Sequence, residues 1–226
     1  MTSPLEKYQQ HQKQAHFLPD EAQVAAINHL QRLYLDLCQL QEQKRPRLRR
    51  KFGGLLGKSS AVKKAPQGLY FWGGVGRGKT YLMDVFYDCL PFENKHRTHF
   101  HRFMRHVHER LVVHKGIKNP LLKVAQELAA DAQVICFDEF FVTDITDAMI
   151  LAGLLGTLFD LGVVLVATSN IELRNLYENG LQRQRFLPAI ALLEQHTTVV
   201  NVDGGVDYRL RTLEQAELYH WPLDDT

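Results

Sequence analysis

The chain reads as an α/β domain, a mainly parallel sheet flanked by helices, and three observations predict it. Short apolar or alternating runs at 69–72, 97–103, 134–137, 163–167 and 198–202 have the length and character of strands. Helical stretches at 79–89, 103–114, 121–130, 144–161 and 182–195 alternate with them, as the crossovers of a parallel sheet require. A glycine-rich turn, 73–78, joins the first strand to the first of these helices.

With 226 residues and 45% apolar content the chain can bury a real core, as one large domain or a domain with an appendage. A formal charge of +2 is too near zero for a general binder of nucleic acid or membranes, so any such role falls to local charge. The three cysteines, Cys38, Cys89 and Cys136, have no paired spacing, which points to a reducing cytoplasm. The first twenty residues are polar and lack a signal peptide's apolar segment. The longest uncharged apolar run, 148–159, has 12 residues, against the roughly 20 that a membrane span needs.

Three segments follow from this: an N-terminal tail and amphipathic helix at 1–43, a basic linker at 44–67 and an α/β core at 68–226. The start reads as disordered. Pro19-Asp20-Glu21-Ala22-Gln23 then opens a helix, with Asp20 as cap and Gln23 as its capping-box partner, and Ile27, Leu30, Tyr34 and Leu37 form its apolar face. No acid occurs between Gln43 and Gln67, where Lys44, Arg45, Arg47, Arg49, Arg50, Lys51, Lys58, Lys63 and Lys64 crowd together. Two readings stand: a solvated connection, or a patch for an acidic partner or a membrane surface.

Gly73-Gly74-Val75-Gly76-Arg77-Gly78-Lys79-Thr80 fits the phosphate-loop pattern G-x-x-x-x-G-K-[ST], placed between strand and helix as that pattern demands. Glycines let backbone N–H groups converge on phosphate oxygens, and the helix N-terminus adds a favourable dipole. Lys79 reaches the β and γ phosphates of ATP, and Thr80 is a Mg²⁺ ligand. A dinucleotide reading of the glycines fails, because Lys-Thr follows them and no acid ends a second strand at the required spacing.

Further along, an apolar strand at 134–137 ends in Asp138-Glu139. Asp138 is the expected Mg²⁺-side carboxylate, and Glu139 the one that polarises water for attack on the γ phosphate; two surface acids are the plain alternative. The buried run at 163–167 ends in Thr168-Ser169-Asn170, where Asn170 is placed to hold the attacking water or the γ phosphate, or is simply part of a polar turn. Arg183 and Arg185 open the helix before the last strand, either as surface arginines or with one as a finger completing a neighbouring subunit's site. Histidines are dense between His96 and His114, with His99 and His101 on one strand face. No cysteine and few carboxylates accompany them, so they read as structural rather than metal-binding.

These residues closely resemble the ZapE family, bacterial cell-division ATPases related to mitochondrial AAA+ proteins. The resemblance is carried by Gly68-Leu-Tyr-Phe-Trp-Gly-Gly-Val-Gly-Arg-Gly-Lys-Thr80, His99-Phe-His-Arg-Phe-Met104, Cys136-Phe-Asp-Glu-Phe-Phe141, Ala167-Thr-Ser-Asn170, Asn179-Gly-Leu-Gln-Arg183 and Val206-Asp-Tyr-Arg209. It implies an AAA+-like P-loop NTPase with a five-stranded parallel sheet, ATP hydrolysis with Mg²⁺, a homo-oligomer, and recruitment to the division site to act on the polymer-forming protein FtsZ. It favours Arg183 over Arg185 as the finger and puts Pro19, Asp20 and Gln23 near the adenine, a reading that stands beside the capping box. The family continues into a helical lid with a second sensor, whereas this sequence stops at Thr226, so a core lacking its lid is expected. A nucleic-acid motor is the competing reading. It rests on the basic linker alone, without a stacking array of aromatics. A non-hydrolysing nucleotide switch is the other, and the Glu139 and Asn170 pair argues against it.

Overall fold

A computed structural model describes residues 2–14, 21–44 and 65–204. The basic linker, apart from its two ends, and everything after Gly204 lie outside them, as do Pro19, Asp20 and any lid.

Helices α1 (Pro4–Gln14) and α2 (Glu21–Lys44) precede strand β1 (Gly68–Trp72). Then come α3 (Lys79–Cys89), β2 (Lys95–His99), α4 (Phe100–Val113), α5 (Pro120–Asp131), β3 (Val134–Asp138), α6 (Ile145–Asp160), β4 (Val164–Ser169), α7 (Leu187–His196) and β5 (Thr197–Asn201). The five strands form one sheet in the order β2-β3-β4-β1-β5, and every neighbouring pair is parallel.

The strand sequences explain the order. β3 and β4 are buried at every residue and are apolar up to their polar ends at Asp138 and Thr168-Ser169, as central parallel strands covered on both faces are. β2, Lys-His-Arg-Thr-His, is polar and only partly buried, which suits an edge. Alternate residues feed two cores. Tyr70, Ile135, Phe137, Leu165 and Ala167 pack with the apolar faces of α4 to α7, while Leu69, Phe71, Val134, Cys136, Val164 and Val166 pack with α2 and α3. Ile27, Leu30, Tyr34 and Leu37 of α2 are all buried in this second core, as the amphipathic pattern predicts.

The structure corrects three expectations. Residues 4–14 are helical, not disordered, because α1 has something to pack on: Tyr8 is buried in the second core, Lys7 pairs with Asp88 at 2.8 Å and His11 Nδ1 lies 2.9 Å from the Tyr81 hydroxyl. Strand β2 ends at His99, so His101 belongs to α4; the two rings nonetheless stack at 5.8 Å across the junction. The last helix starts at Leu187 instead of 182, since Gln182 is left-handed at φ 57° and a short 3₁₀ turn over Arg183–Arg185 intervenes before Pro188 sets the first helical turn.

Two of the histidines tie helices together. His108 lies 2.6 Å from Asp147, tying α4 to α6, and His114 lies 2.8 Å from Glu127, tying α4 to α5. No group of three or more candidate metal ligands occurs among the described residues. Nor is any described helix long and apolar enough to cross a membrane.

Gly68 begins β1 where β4 passes so close that a Cβ there would meet the Leu165 carbonyl oxygen at 1.8 Å. Gly68→Ala must therefore prise β1 from β4 and is expected to cost about 1–3 kcal/mol. A lowered denaturant midpoint with an unchanged slope checks this.

Candidate active site

Three elements meet at the carboxyl edge of the sheet. Strand β1 delivers the phosphate loop, and its turn needs glycine at two places: Gly76 and Gly78 have φ of 81° and 78°, a region closed to most side chains. Gly78 then caps α3 with no side-chain hydrogen bond, leaving the first N–H groups of the helix for an anion. Lys79 is buried and curls back over the loop, its Nζ donating to the carbonyls of Gly73 and Gly74, both at 2.7 Å. Thr80 follows, exposed on the first turn of α3, and Val75 is exposed at the loop's tip.

Strand β3 delivers Asp138 and Glu139. Asp138 is buried and Glu139 exposed, and the chain reverses between strand and loop through a left-handed Glu139, φ 54°. A non-glycine residue there is a backbone cost that sets the direction of its side chain. The tip of β4 secures the bend. The Glu139 N–H donates to Thr168 Oγ1 at 3.3 Å, the Phe140 N–H to the Thr168 carbonyl at 2.7 Å, and Ser169 Oγ to the Phe140 carbonyl at 2.6 Å. Asn170 leaves β4 directly beyond these contacts, exposed on the same edge as Glu139.

Two partners were not foreseen. Arg97 of β2 grips Asp138 with a two-pronged fork, Nε to Oδ2 at 2.7 Å and Nη2 to Oδ1 at 3.1 Å, while its Nη1 donates to Asp84 of α3. Burial opposes the guanidinium charge, but the bonds to Asp138 and then Asp84 outweigh it and hold the Arg97 pKa above its ordinary value. Asp84 stands four residues from Thr80, on the same face of α3. Arg97 thus bridges the end of β3 to the helix turn below Thr80. Neither strand pattern nor spacing pointed to it; an arginine in the middle of a polar edge strand beside the acid-bearing strand was the available signal.

The second is Asp203. Strand β5 pairs beside β1 through Trp72↔Asn201, and the Val202 N–H extends the ladder to the Trp72 carbonyl at 2.8 Å. This brings Asp203 to the base of the loop, where it accepts from the Gly74 N–H at 3.4 Å and pairs with Arg77 at 2.9 Å.

Gln23 lies against the same loop. Its Nε2 donates to the Arg77 carbonyl at 3.2 Å, and its Oε1 accepts from the Tyr8 hydroxyl at 3.4 Å. Arg183 is the outlier: its Nη2 donates to the Arg174 carbonyl at 2.6 Å, in the turn before α7, while Arg185 is exposed.

The model of the AFG1-like ATPase family matches residues 2–226. The chain belongs to that family. Among curated relatives, the cell division protein ZapE of Escherichia coli K12 is 51% identical over 227 residues, covering 99% of this chain and 60% of that protein. Lactation elevated protein 1 homolog B of Danio rerio is 44% identical over 177 residues, 72% of this chain and 35% of that protein. The AFG1-like ATPase chain therefore spans about 60% of the length of the first of these. Its fold is that of solved AAA+ P-loop proteins. DnaI matches at a TM-score of 0.56 with 17% identity, covering 85% of this chain and 87% of that one. AMPPCP-bound DnaA from Aquifex aeolicus matches at 0.54 with 14% identity, covering 91% and 56%.

Removing the Gln23 amide takes a donor from the part-buried Arg77 carbonyl at the loop. Gln23→Ala is expected to cost this AFG1-like ATPase about 1–3 kcal/mol and to weaken nucleotide binding. Chemical denaturation and a fluorescent-nucleotide titration on the same samples separate the two effects.

Proposed function

We propose that this chain is the ATP-hydrolysing part of a cytoplasmic cell-division protein that is recruited to the division site and acts on the FtsZ ring during constriction. One observation carries the ATPase reading. The lysine-bearing loop and the acid pair that such chemistry needs sit on one sheet edge, with Asp138 tied through Arg97 to the helix turn that bears Thr80. Membership of an ATPase family supports the activity, and the ZapE relative supports the setting.

The donor set suits ATP with Mg²⁺. Uncapped N–H groups at the start of α3 and the Lys79 ammonium match phosphate oxygens, and the Thr80 hydroxyl with the Asp138 carboxylate are the hard oxygen donors that would hold Mg²⁺. The chemistry Mg²⁺ would supply there is charge neutralisation on the phosphates. Lys79 exchanges its two carbonyl acceptors for phosphate oxygens. Glu139, aimed by its left-handed backbone, takes a proton from the water that attacks the γ phosphate, and Asn170 holds that water or the phosphate. Arg183 serves a neighbouring subunit's site in trans, which makes turnover depend on a homo-oligomer. Gln23 carries the loop contact and an adenine contact on one side chain. The basic linker at 44–67 supplies a membrane-surface contact; nucleic acid is not a partner in this reading.

Glu139→Gln keeps the shape and loses the base, so ATP is expected to bind as in the parent while turnover falls by about 10²–10⁴-fold. Lys79→Ala is expected to fold and to lose ATP binding. Equilibrium dialysis with labelled ATP, paired with phosphate release, checks both; normal affinity in folded Lys79→Ala would defeat the phosphate-loop assignment.

Co-sedimentation addresses the partner. FtsZ polymers are expected to pellet the Glu139→Gln protein with ATP and much less without it, whereas DNA is expected to leave it in the supernatant. The reverse pattern would make it a nucleic-acid motor.

A further inference from the structure

We infer that Arg97 is the resident counter-cation of Asp138, standing in for Mg²⁺, and that Asp84 is the second seat on which Arg97 is held when Asp138 turns to the metal. The inference rests on the reading of Asp138 as the Mg²⁺-side carboxylate.

The geometry makes the case. Asp138 ends a strand buried at all of its residues, and its side chain is only 12% exposed, so a bare carboxylate there would be an uncompensated charge in a poorly solvated place. Arg97 answers that charge with the two-pronged arrangement that guanidinium and carboxylate form best. The sheet dictates the pairing. Arg97 lies in register with Cys136, so its side chain shares a sheet face with Cys136 and, two residues on, with Asp138. The same fork engages both Asp138 oxygens, although each keeps a second lone pair.

Arg97 is not held by Asp138 alone. Its third nitrogen donates to Asp84, whose side chain is half exposed at 52% and so bears its charge cheaply in water. The guanidinium is thus strung between a buried acid and a solvated one. A cation arriving at Asp138 repels Arg97, and Asp84 gives the displaced charge a place one helix turn from Thr80, without any long movement. A lysine ammonium could not meet Asp138 through two parallel N–H bonds while a third nitrogen reached Asp84.

Two consequences separate this role from plain strand cement. Without Arg97, Asp138 lacks its cation until Mg²⁺ comes, so the metal should stabilise the variant more than the parent. Without the Asp84 charge, Arg97 is committed to Asp138, so the metal should stabilise that variant less.

The test is melting of the full chain with the β,γ-methylene analogue of ATP, in excess EDTA and then in Mg²⁺, for the parent, Arg97→Gln, Asp84→Asn and the double variant Arg97→Gln with Asp138→Asn. The quantity read is the Mg²⁺-dependent rise in Tm. It should be larger than the parent's by about 2–4 °C in Arg97→Gln, smaller in Asp84→Asn, and smaller than in Arg97→Gln alone in the double variant, where Asp138 is no longer a carboxylate. The double variant should also melt higher in EDTA than Arg97→Gln alone. An unchanged or reduced Mg²⁺ increment in Arg97→Gln, with the parent increment present, overturns the stand-in role. No Mg²⁺ increment in the parent overturns the reading of Asp138 instead. Should Arg97→Gln fail to fold, Asp84→Asn decides, because an increment equal to or above the parent's contradicts the inference.

Discussion

Strand β1 is paired in parallel register with β4 on one side and with β5 on the other, and the rest of the site depends on that double pairing. It fixes where the chain leaves the sheet at Gly73, and so where the phosphate loop opens. β4 in turn pairs with β3, and this sets Thr168 and Ser169 level with the bend after β3, where they hold Phe140 and Glu139 in place. On the other side the pairing with β5 carries Asp203 to the base of the loop, where it meets Gly74 and Arg77. Burial of Leu69, Tyr70 and Phe71 between two cores makes this register hard to change, since a one-residue slip would exchange every side chain between faces.

Around this frame, the two loop cations and the buried acid Asp138 each have a partner. Lys79 donates to two loop carbonyls, Arg77 meets Asp203, and Asp138 meets Arg97. Each of these contacts uses acceptors or donors that phosphate chemistry would also use. The thiol of Cys136, by contrast, is pushed up to about 12 by burial, which keeps it neutral and inert beneath Arg97.

Much of this was legible in the sequence because it is local. The loop pattern, the acid pair and the tip of β4 are each contiguous, and every predicted strand was found within a few residues of its place. The departures have physical causes of two kinds. At His99 the pattern could not show where an edge strand of polar residues gives way to α4, because Phe100 and Phe103 are apolar in either conformation. Helix α1 is polar nearly throughout, and what orders it is long-range: the burial of Tyr8 and the contacts of Lys7 and His11 with α3. Arg97, Asp84 and Asp203 were missed for a further reason. Their meaning comes from strand order, which places β2 beside β3 and β5 beside β1, and a linear pattern does not contain that order.

The same strand order makes α3 the element on which the site converges. Its first residue is the loop lysine, its next carries the hydroxyl, and Asp84 one turn on holds Arg97. Its outer side takes the N-terminal helices: Tyr81 meets His11 and Asp88 meets Lys7, while Gln23 links Tyr8 to the loop itself. Two contacts from α1 reach α3 directly, and Gln23 of α2 reaches the loop that leads into it, so the N-terminal helices belong to the frame that positions Lys79 and Thr80.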